Sequence, residues 1–307
     1  MGKIAFVFPG QGSQSVGMGQ DVYQSNPASK QVFQAADEAL GFALSELIFQ
    51  GPEQELKKTY HTQPALLTTS IALYEAFKTK GVIADYVAGH SLGEYSALVA
   101  AGALSFTDAV QMVRLRGQFM EQAVPEGQGA MAAVLGAERT ALAQLCVRIS
   151  QEVGSVEMAN INSPGQIVVS GTKQGVQAVV EQGKEIGAKR VIPLEVSGPF
   201  HSSLMKPAAK QLAEELQKIT IHSPSIPVVA NVTALPVEAP DRIRELLVEQ
   251  VYSPVLWEDT VLWLITQGVD TFIEIGSGSV LTGLIKKIDK TVRVISINSK
   301  EAMESFE

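Results

Sequence analysis

The chain has 307 residues, 46% hydrophobic and 18% charged, so it can bury a large core and is not a disordered chain. A net charge of −8 disfavours nonspecific nucleic-acid binding, and no apolar run reaches the roughly 20 residues a membrane helix needs. The single cysteine excludes an internal disulfide, and Met1-Gly2-Lys3-Ile4-Ala5 enters a strand at once without a leader pattern, so a cytoplasmic protein is expected.

In chain order, the pattern predicts a strand at 4–8, the glycine-rich turn "FPGQGSQ" at 8–14, a helix at 64–80 opened by Pro64, and a strand at 87–89. Helical runs follow at 94–101 and 107–124. After Pro125-Glu126-Gly127-Gln128-Gly129 the rhythm changes. A strand at 130–135, a helix at 138–152, strands at 156–161 and 166–170, a helix at 173–186 and a strand at 189–194 give the order β-α-β-β-α-β. That order is the ferredoxin-like arrangement. A helix at 203–218, a strand at 228–231, a helix at 255–267 and strands at 271–275 and 292–297 complete the chain. Apolar runs without strict alternation indicate a buried parallel sheet covered by helices. The expected fold is therefore α/β, with a large domain from 1–127 and 197–307 and a small ferredoxin-like insert at 128–196.

Gly89-His90-Ser91-Leu92-Gly93 fits G-x-S-x-G between an apolar run and a helical one. A sharp strand-to-helix turn there strains the serine and exposes its hydroxyl as a nucleophile. Such a serine needs a base, and the sequence has four histidines. Neighbouring side chains diverge at a tight turn, which makes His90 a poor choice. His61 and His222 read as ordinary loop or helix-edge residues. His201, in "VSGPFHSSLM" where the insert returns to the main domain, is either the base or an ordinary junction histidine. An α/β-hydrolase triad places its histidine last, yet none follows His222, and no acid has an obvious claim on His201. That weakens an esterase reading. Leu92 is a natural oxyanion donor, with a second from the 8–14 turn. Gly10-Gln11-Gly12-Ser13-Gln14-Ser15 and Gly276-Ser277-Gly278 both lack the full dinucleotide fingerprint. Arg116 shares a helix face with Ala109, Val113 and Met120, so its charge must meet an anion. Spacing alone leaves open whether that anion is an internal acid or a substrate carboxylate.

These motifs resemble the malonyl-CoA:acyl-carrier-protein transacylases along essentially the whole chain. The resemblance runs through "FPGQGSQ", "TQPAL" (62–66), "GHSLGEYSALVAAG", "RLRGQFM" (114–120), "NINSPGQIVVSG" (160–171), "VSGPFHSSLMKPA", "NVTA" (231–234), "LVEQVYSPVLW" (247–257) and "EIGSGSVLTGL" (274–284). It implies an α/β-hydrolase-like large domain, Ser91 as nucleophile and His201 as base. Gln250 would orient His201 through its main-chain carbonyl, and Gln11 and Leu92 would supply oxyanion N–H groups. Arg116 would anchor the malonyl carboxylate, with Gln63, His90, Asn162 and Phe200 in the substrate site. The Phe200 ring, placed to crowd a methyl branch, favours malonyl over methylmalonyl. Ser279 stands where related sequences often carry lysine. The implied partners are malonyl-CoA as substrate and an acidic, phosphopantetheinylated acyl carrier protein; on this acidic chain, Lys189, Arg190, Lys286 and Lys287 are either its docking patch or ordinary solvated surface charge. A monomer without cofactor or metal is expected. The rivals are a serine thioesterase, with water as acceptor, and a non-catalytic carrier-binding scaffold.

Overall fold

A computed structural model describes residues 2–125 and 127–306; Met1, Glu126 and Glu307 lie outside the described residues. The strands are β1 (Lys3–Phe8), β2 (Tyr86–Gly89), β3 (Gly129–Leu135), β4 (Val156–Ser163), β5 (Gln166–Thr172), β6 (Arg190–Pro193), β7 (Val228–Val229), β8 (Pro236–Val237), β9 (Val269–Ile275) and β10 (Arg293–Ile297). The helices are α1 (Gln20–Ser25), α2 (Pro27–Leu40), α3 (Leu44–Gln50), α4 (Glu53–Leu56), α5 (Thr59–Phe77), α6 (Gly93–Ala100) and α7 (Phe106–Gln122). They continue with α8 (Arg139–Glu152), α9 (Lys173–Gln182), α10 (Lys206–Leu216), α11 (Pro240–Gln250), α12 (Trp257–Thr266), α13 (Val280–Ile288) and α14 (Lys300–Glu304).

One sheet has the order β10-β9-β1-β2-β7-β8, parallel except for the β7–β8 edge. Both faces of β1 are buried, which is why its run does not alternate with polar residues. Phe6 and Phe8 pack edge-on against Phe77 and Tyr74 of α5, at 5.9 and 6.2 Å between ring centroids. Ala5 and Val7 point the other way, into a cluster with Trp257, Val261 and Leu264 of α12. Burying a side chain such as Phe8 contributes roughly 1.5–3 kcal/mol.

The second sheet, β4-β5-β3-β6, is antiparallel throughout and follows the β-α-β-β-α-β order. Strand alternation splits its residues. Ala132, Val134 and Val169 pack under α8 and α9 with Leu142, Leu145 and Val176. Met131 and Val168 face the opposite way and join the core of the larger part. The segment before α12 bridges to β4 at Val255, whose C=O accepts from Ile161 N–H and whose N–H donates to Ala159 C=O, both at 2.9 Å.

Three elements differ from expectation. The helix expected at 64–80 starts at Thr59 and runs through Pro64. Proline cannot serve the carbonyl four residues back, and here Tyr60 C=O accepts instead from Arg114 Nη1 at 2.8 Å. Glu121 takes the Thr59 N–H at 3.0 Å, so the early start is capped from another helix. The strand expected at 228–231 stops at Val229, because Ala230 N–H turns to Leu235 C=O and Asn231 leaves the sheet. The helix expected from 203 opens as a 3₁₀ turn, Ser203–Met205, before α10. Elements without an expected counterpart include α1 to α4, α11, α14 and the short strand β8.

Candidate active site

Ser91 sits where β2 turns into α6, with φ at 51° in the left-handed region. The turn is possible only because of its glycines. A Cβ on Gly89 would lie 1.9 Å from the Gly93 carbonyl, and one on Gly93 would lie 2.1 Å from Phe8 C=O. Gly10 brings the 8–14 turn against the same elbow, since a Cβ there would meet the His90 carbonyl oxygen at 2.4 Å. Side chains satisfy the Ser91 backbone from both sides. Its N–H donates to Asn231 Oδ1 at 2.7 Å, and its C=O accepts from Gln250 Nε2 at 3.0 Å.

His201 precedes the 3₁₀ turn of α10 and also has positive φ, 59°. Its Nε2 lies 2.8 Å from Ser91 Oγ, and its Nδ1 lies 2.8 Å from the Gln250 carbonyl oxygen. A carbonyl only accepts, so the network assigns the proton to Nδ1 and leaves the Nε2 lone pair facing the serine. Burial first, then the Arg116 charge, lowers the imidazole pKa to about 3, so the ring is neutral at ordinary pH. Glu157 of β4 accepts from Ser203 N–H at 3.1 Å and from its hydroxyl, which ties the His201 segment to the second sheet.

Arg116 is 1% exposed on α7, whose first turn is capped by Ser105 accepting from Asp108 N–H at 3.0 Å. Its Nη1 donates to Gln63 Oε1 at 2.8 Å, while Nη2 donates to Gln250 Oε1 at 2.9 Å and Ser91 Oγ at 3.1 Å. The guanidinium also stacks over Tyr95, 5.8 Å from its centroid. Among the described residues no acid lies within ion-pair distance of it, and its Nε–H meets no acceptor. Glu94 is reached only through the Gln250 amide, whose Nε2 donates to Glu94 Oε2 at 2.8 Å. Burial raises the Glu94 pKa to about 7, against the pull of its hydrogen bonds and of Arg116. Arg114 leaves the site, stacking between Phe42 and Tyr60.

Ser91, His201, Arg116, Gln63, Gln11 and Leu92 line one cavity of about 360 Å³. Neither the Gln11 nor the Leu92 N–H donates to another backbone group among the described residues. His90, Asn162 and Phe200 line it too. His90 Nε2 and Asn162 Oδ1 are 2.8 Å apart, and burial lowers the His90 pKa. Met131, Ala133 and Val168 from the second sheet form an apolar wall. Lys189, Arg190, Lys286 and Lys287 stand outside on the exposed surface. Lys287 Nζ reaches Gln166 Oε1, on the cavity lining, at 2.9 Å. Arg190 lies across from Leu135, which pairs in turn with Gln166. Asn231 and Glu94 escaped the sequence reading. The one available signal was an acid at the head of the apolar run after Ser91.

No group of His, Cys, Asp or Glu among the described residues could hold a metal, and no described helix is long and apolar enough to cross a membrane. The model of the acyl transferase domain family matches residues 5–303. The malonyl CoA-acyl carrier protein transacylase of Bacillus subtilis is 56% identical over 99% of this chain and 96% of its own. A Vibrio cholerae acyl carrier protein S-malonyltransferase superposes with a TM-score of 0.97 at 45% identity, covering 99% of this chain and 100% of its own. A malonyl-transacylase solved in complex with a type II PKS acyl-carrier protein superposes at 0.96 and 44% identity, covering 99% and 98%.

Proposed function

Because this chain belongs to the acyl transferase family, among its malonyl-CoA:acyl-carrier-protein transacylases, we infer that it moves malonyl from malonyl-CoA to the phosphopantetheine thiol of an acyl carrier protein. One observation carries the reading. A buried guanidinium without an acidic partner stands 3.1 Å from a hydroxyl that an imidazole holds at 2.8 Å. A buried arginine keeps its charge, so the site is built to receive a carboxylate beside the nucleophile.

The cycle is ping-pong. Ser91 Oγ attacks the thioester carbonyl as its proton passes to His201 Nε2. The Gln250 carbonyl holds the imidazole and stabilises the imidazolium that forms. The tetrahedral oxyanion takes the N–H groups of Gln11 and Leu92. Collapse breaks the C–S bond, and the CoA sulfur leaves with the proton from His201. The carrier thiol then attacks the malonyl-serine ester, giving its proton to His201; the C–O bond to Ser91 breaks, and Oγ takes that proton from His201. Throughout, Arg116 and Gln63 hold the free carboxylate, which lies only one methylene from the reacting carbonyl. Phe200 narrows the space beside that methylene. No step calls on a cofactor.

The carrier reaches the cavity past Lys189, Arg190, Lys286 and Lys287, where its acidic surface finds opposite charge on an otherwise acidic protein. Residues 1–127 and 197–307 act as the catalytic domain and 128–196 as its insert, in a cytoplasmic monomer that supplies malonyl units to fatty-acid or polyketide synthesis. Intact mass after brief mixing with malonyl-CoA should show a malonyl adduct, discharged onto an added holo carrier. Ser91→Ala should abolish the adduct. An adduct that survives the substitution, or malonate released free instead of on the carrier thiol, contradicts the reading.

A further inference from the structure

Three non-glycine residues among those described have positive φ: Ser91, His201 and Ala234. Two are the hydroxyl and imidazole pair, and the third closes the turn that carries Asn231, where Ala234 N–H donates to Ala230 C=O. A left-handed backbone at a residue with a Cβ persists only where the surroundings over-determine it. What holds Ser91 converges on one buried group.

Glu94 lies in the first turn of α6, 2% exposed. Its Oε2 accepts from Asn231 N–H at 3.0 Å and from Gln250 Nε2 at 2.8 Å. Each of those partners then grips Ser91. Asn231 Oδ1 takes the Ser91 N–H, while Asn231 Nδ2 donates to Gly89 C=O at 2.6 Å. Gln250 Nε2 donates to Ser91 C=O, while its Oε1 accepts from Arg116 and its main-chain oxygen holds His201.

An amide side chain can ordinarily sit in either of two flips. Gln250 cannot. On one side stands a carboxylate that accepts, and on the other a guanidinium that only donates. We propose that Glu94 is a positioning residue for the transfer reaction, its carboxylate locking the Gln250 amide and the Asn231 turn so that Ser91 keeps its left-handed conformation between His201 and Arg116. An apolar side chain at 94 would leave the Asn231 N–H and one Gln250 N–H without the acceptor they share, loosening the amide and the turn that hold Ser91. The inference rests on the transferase reading only for the reaction that Ser91 performs.

The test therefore uses a fluorophosphonate, which labels an activated serine without needing a carboxylate anchor or a carrier. Ser91 Oγ forms the P–O bond, fluoride leaves, and the proton passes to His201. Glu94→Ala should lower the maximal inactivation rate about 10- to 100-fold with the half-saturating probe concentration little changed. Glu94→Gln should recover most of the loss, because its amide oxygen can take the same two N–H groups. Should Glu94→Ala not fold, Asn231→Ala, which cuts the relay to the Ser91 N–H, should slow labelling in the same way. A folded alanine variant labelled within twofold of the parent overturns the proposal, as does Glu94→Gln falling as far as Glu94→Ala. Failure to load a carrier alongside slowed labelling would remove the transferase reading and leave this one standing.

Discussion

The two walls of the cavity are built on different principles. On the side of the parallel sheet, Ser91, His201, Arg116, Gln250, Asn231 and Glu94 are joined by hydrogen bonds of 2.7–3.1 Å. On the side of the antiparallel sheet, Met131, Ala133 and Val168 offer shape, and polarity only at residues such as Asn160, Asn162 and Gln166. Precise placement is confined to the first wall. A polar network in low dielectric tolerates no missing partner, whereas an apolar wall on alternate strand positions responds to volume.

The largest expected effect is on the polar wall. His201→Ala should slow acylation by malonyl-CoA about 10²- to 10⁴-fold, measured by rapid-quench mass spectrometry. A tenfold loss or less would break the comparison. The pH profile sharpens it. Protonating Nε2 removes the lone pair that accepts the serine proton, so the rate falls as pH falls through the imidazole pKa. With that pKa lowered to about 3 by burial and Arg116, kcat/KM should stay level through pH 6.5 and decline only well below it. Replacing Arg116 with glutamine should move the limb upward. A limb at the ordinary histidine value in the parent would contradict the geometry.

On the apolar wall, Met131→Ala with Val168→Ala should cut malonyl kcat/KM less than tenfold. It should raise methylmalonyl relative to malonyl by about tenfold or more. Equal losses for both acyl groups would mean that this wall does not set shape. The smallest effect lies outside both walls. Lys286→Glu and Lys287→Glu should each raise the carrier KM about 2- to 5-fold, an effect that fades with added salt, while acylation by malonyl-CoA is untouched. Equal response of both half-reactions would place docking elsewhere.

What the sequence disclosed follows the same division. The elbow is legible because Gly89, Ser91 and Gly93 are neighbours whose spacing carries the steric argument. The β-α-β-β-α-β run is legible because each of its elements is local. Arg116 is half legible: periodicity buries it, but only the fold shows that no acid meets it. Asn231 and Glu94 are illegible, since Asn231 takes the Ser91 N–H from 140 positions away and Glu94 from 137 positions away holds Asn231. The helix through Pro64 is hidden for the same reason, resting on an Arg114 contact 54 positions distant.

Arg116 as a carboxylate anchor beside Ser91 predicts a split between two substrates that differ only in that carboxylate. kcat/KM for malonyl-CoA and for acetyl-CoA is compared between the parent and Arg116→Ala, on preparations with matched circular dichroism. Losing one buried partner of a charge pair costs ~2–5 kcal/mol, so malonyl transfer should fall roughly 30- to 5,000-fold. Acetyl transfer, with no carboxylate to hold, loses only the Arg116 bonds to Gln63, Gln250 and Ser91 and should fall far less, about tenfold or less. An equally deep fall for both substrates would leave Arg116 with its network bonds alone and no carboxylate to anchor, and would contradict the account.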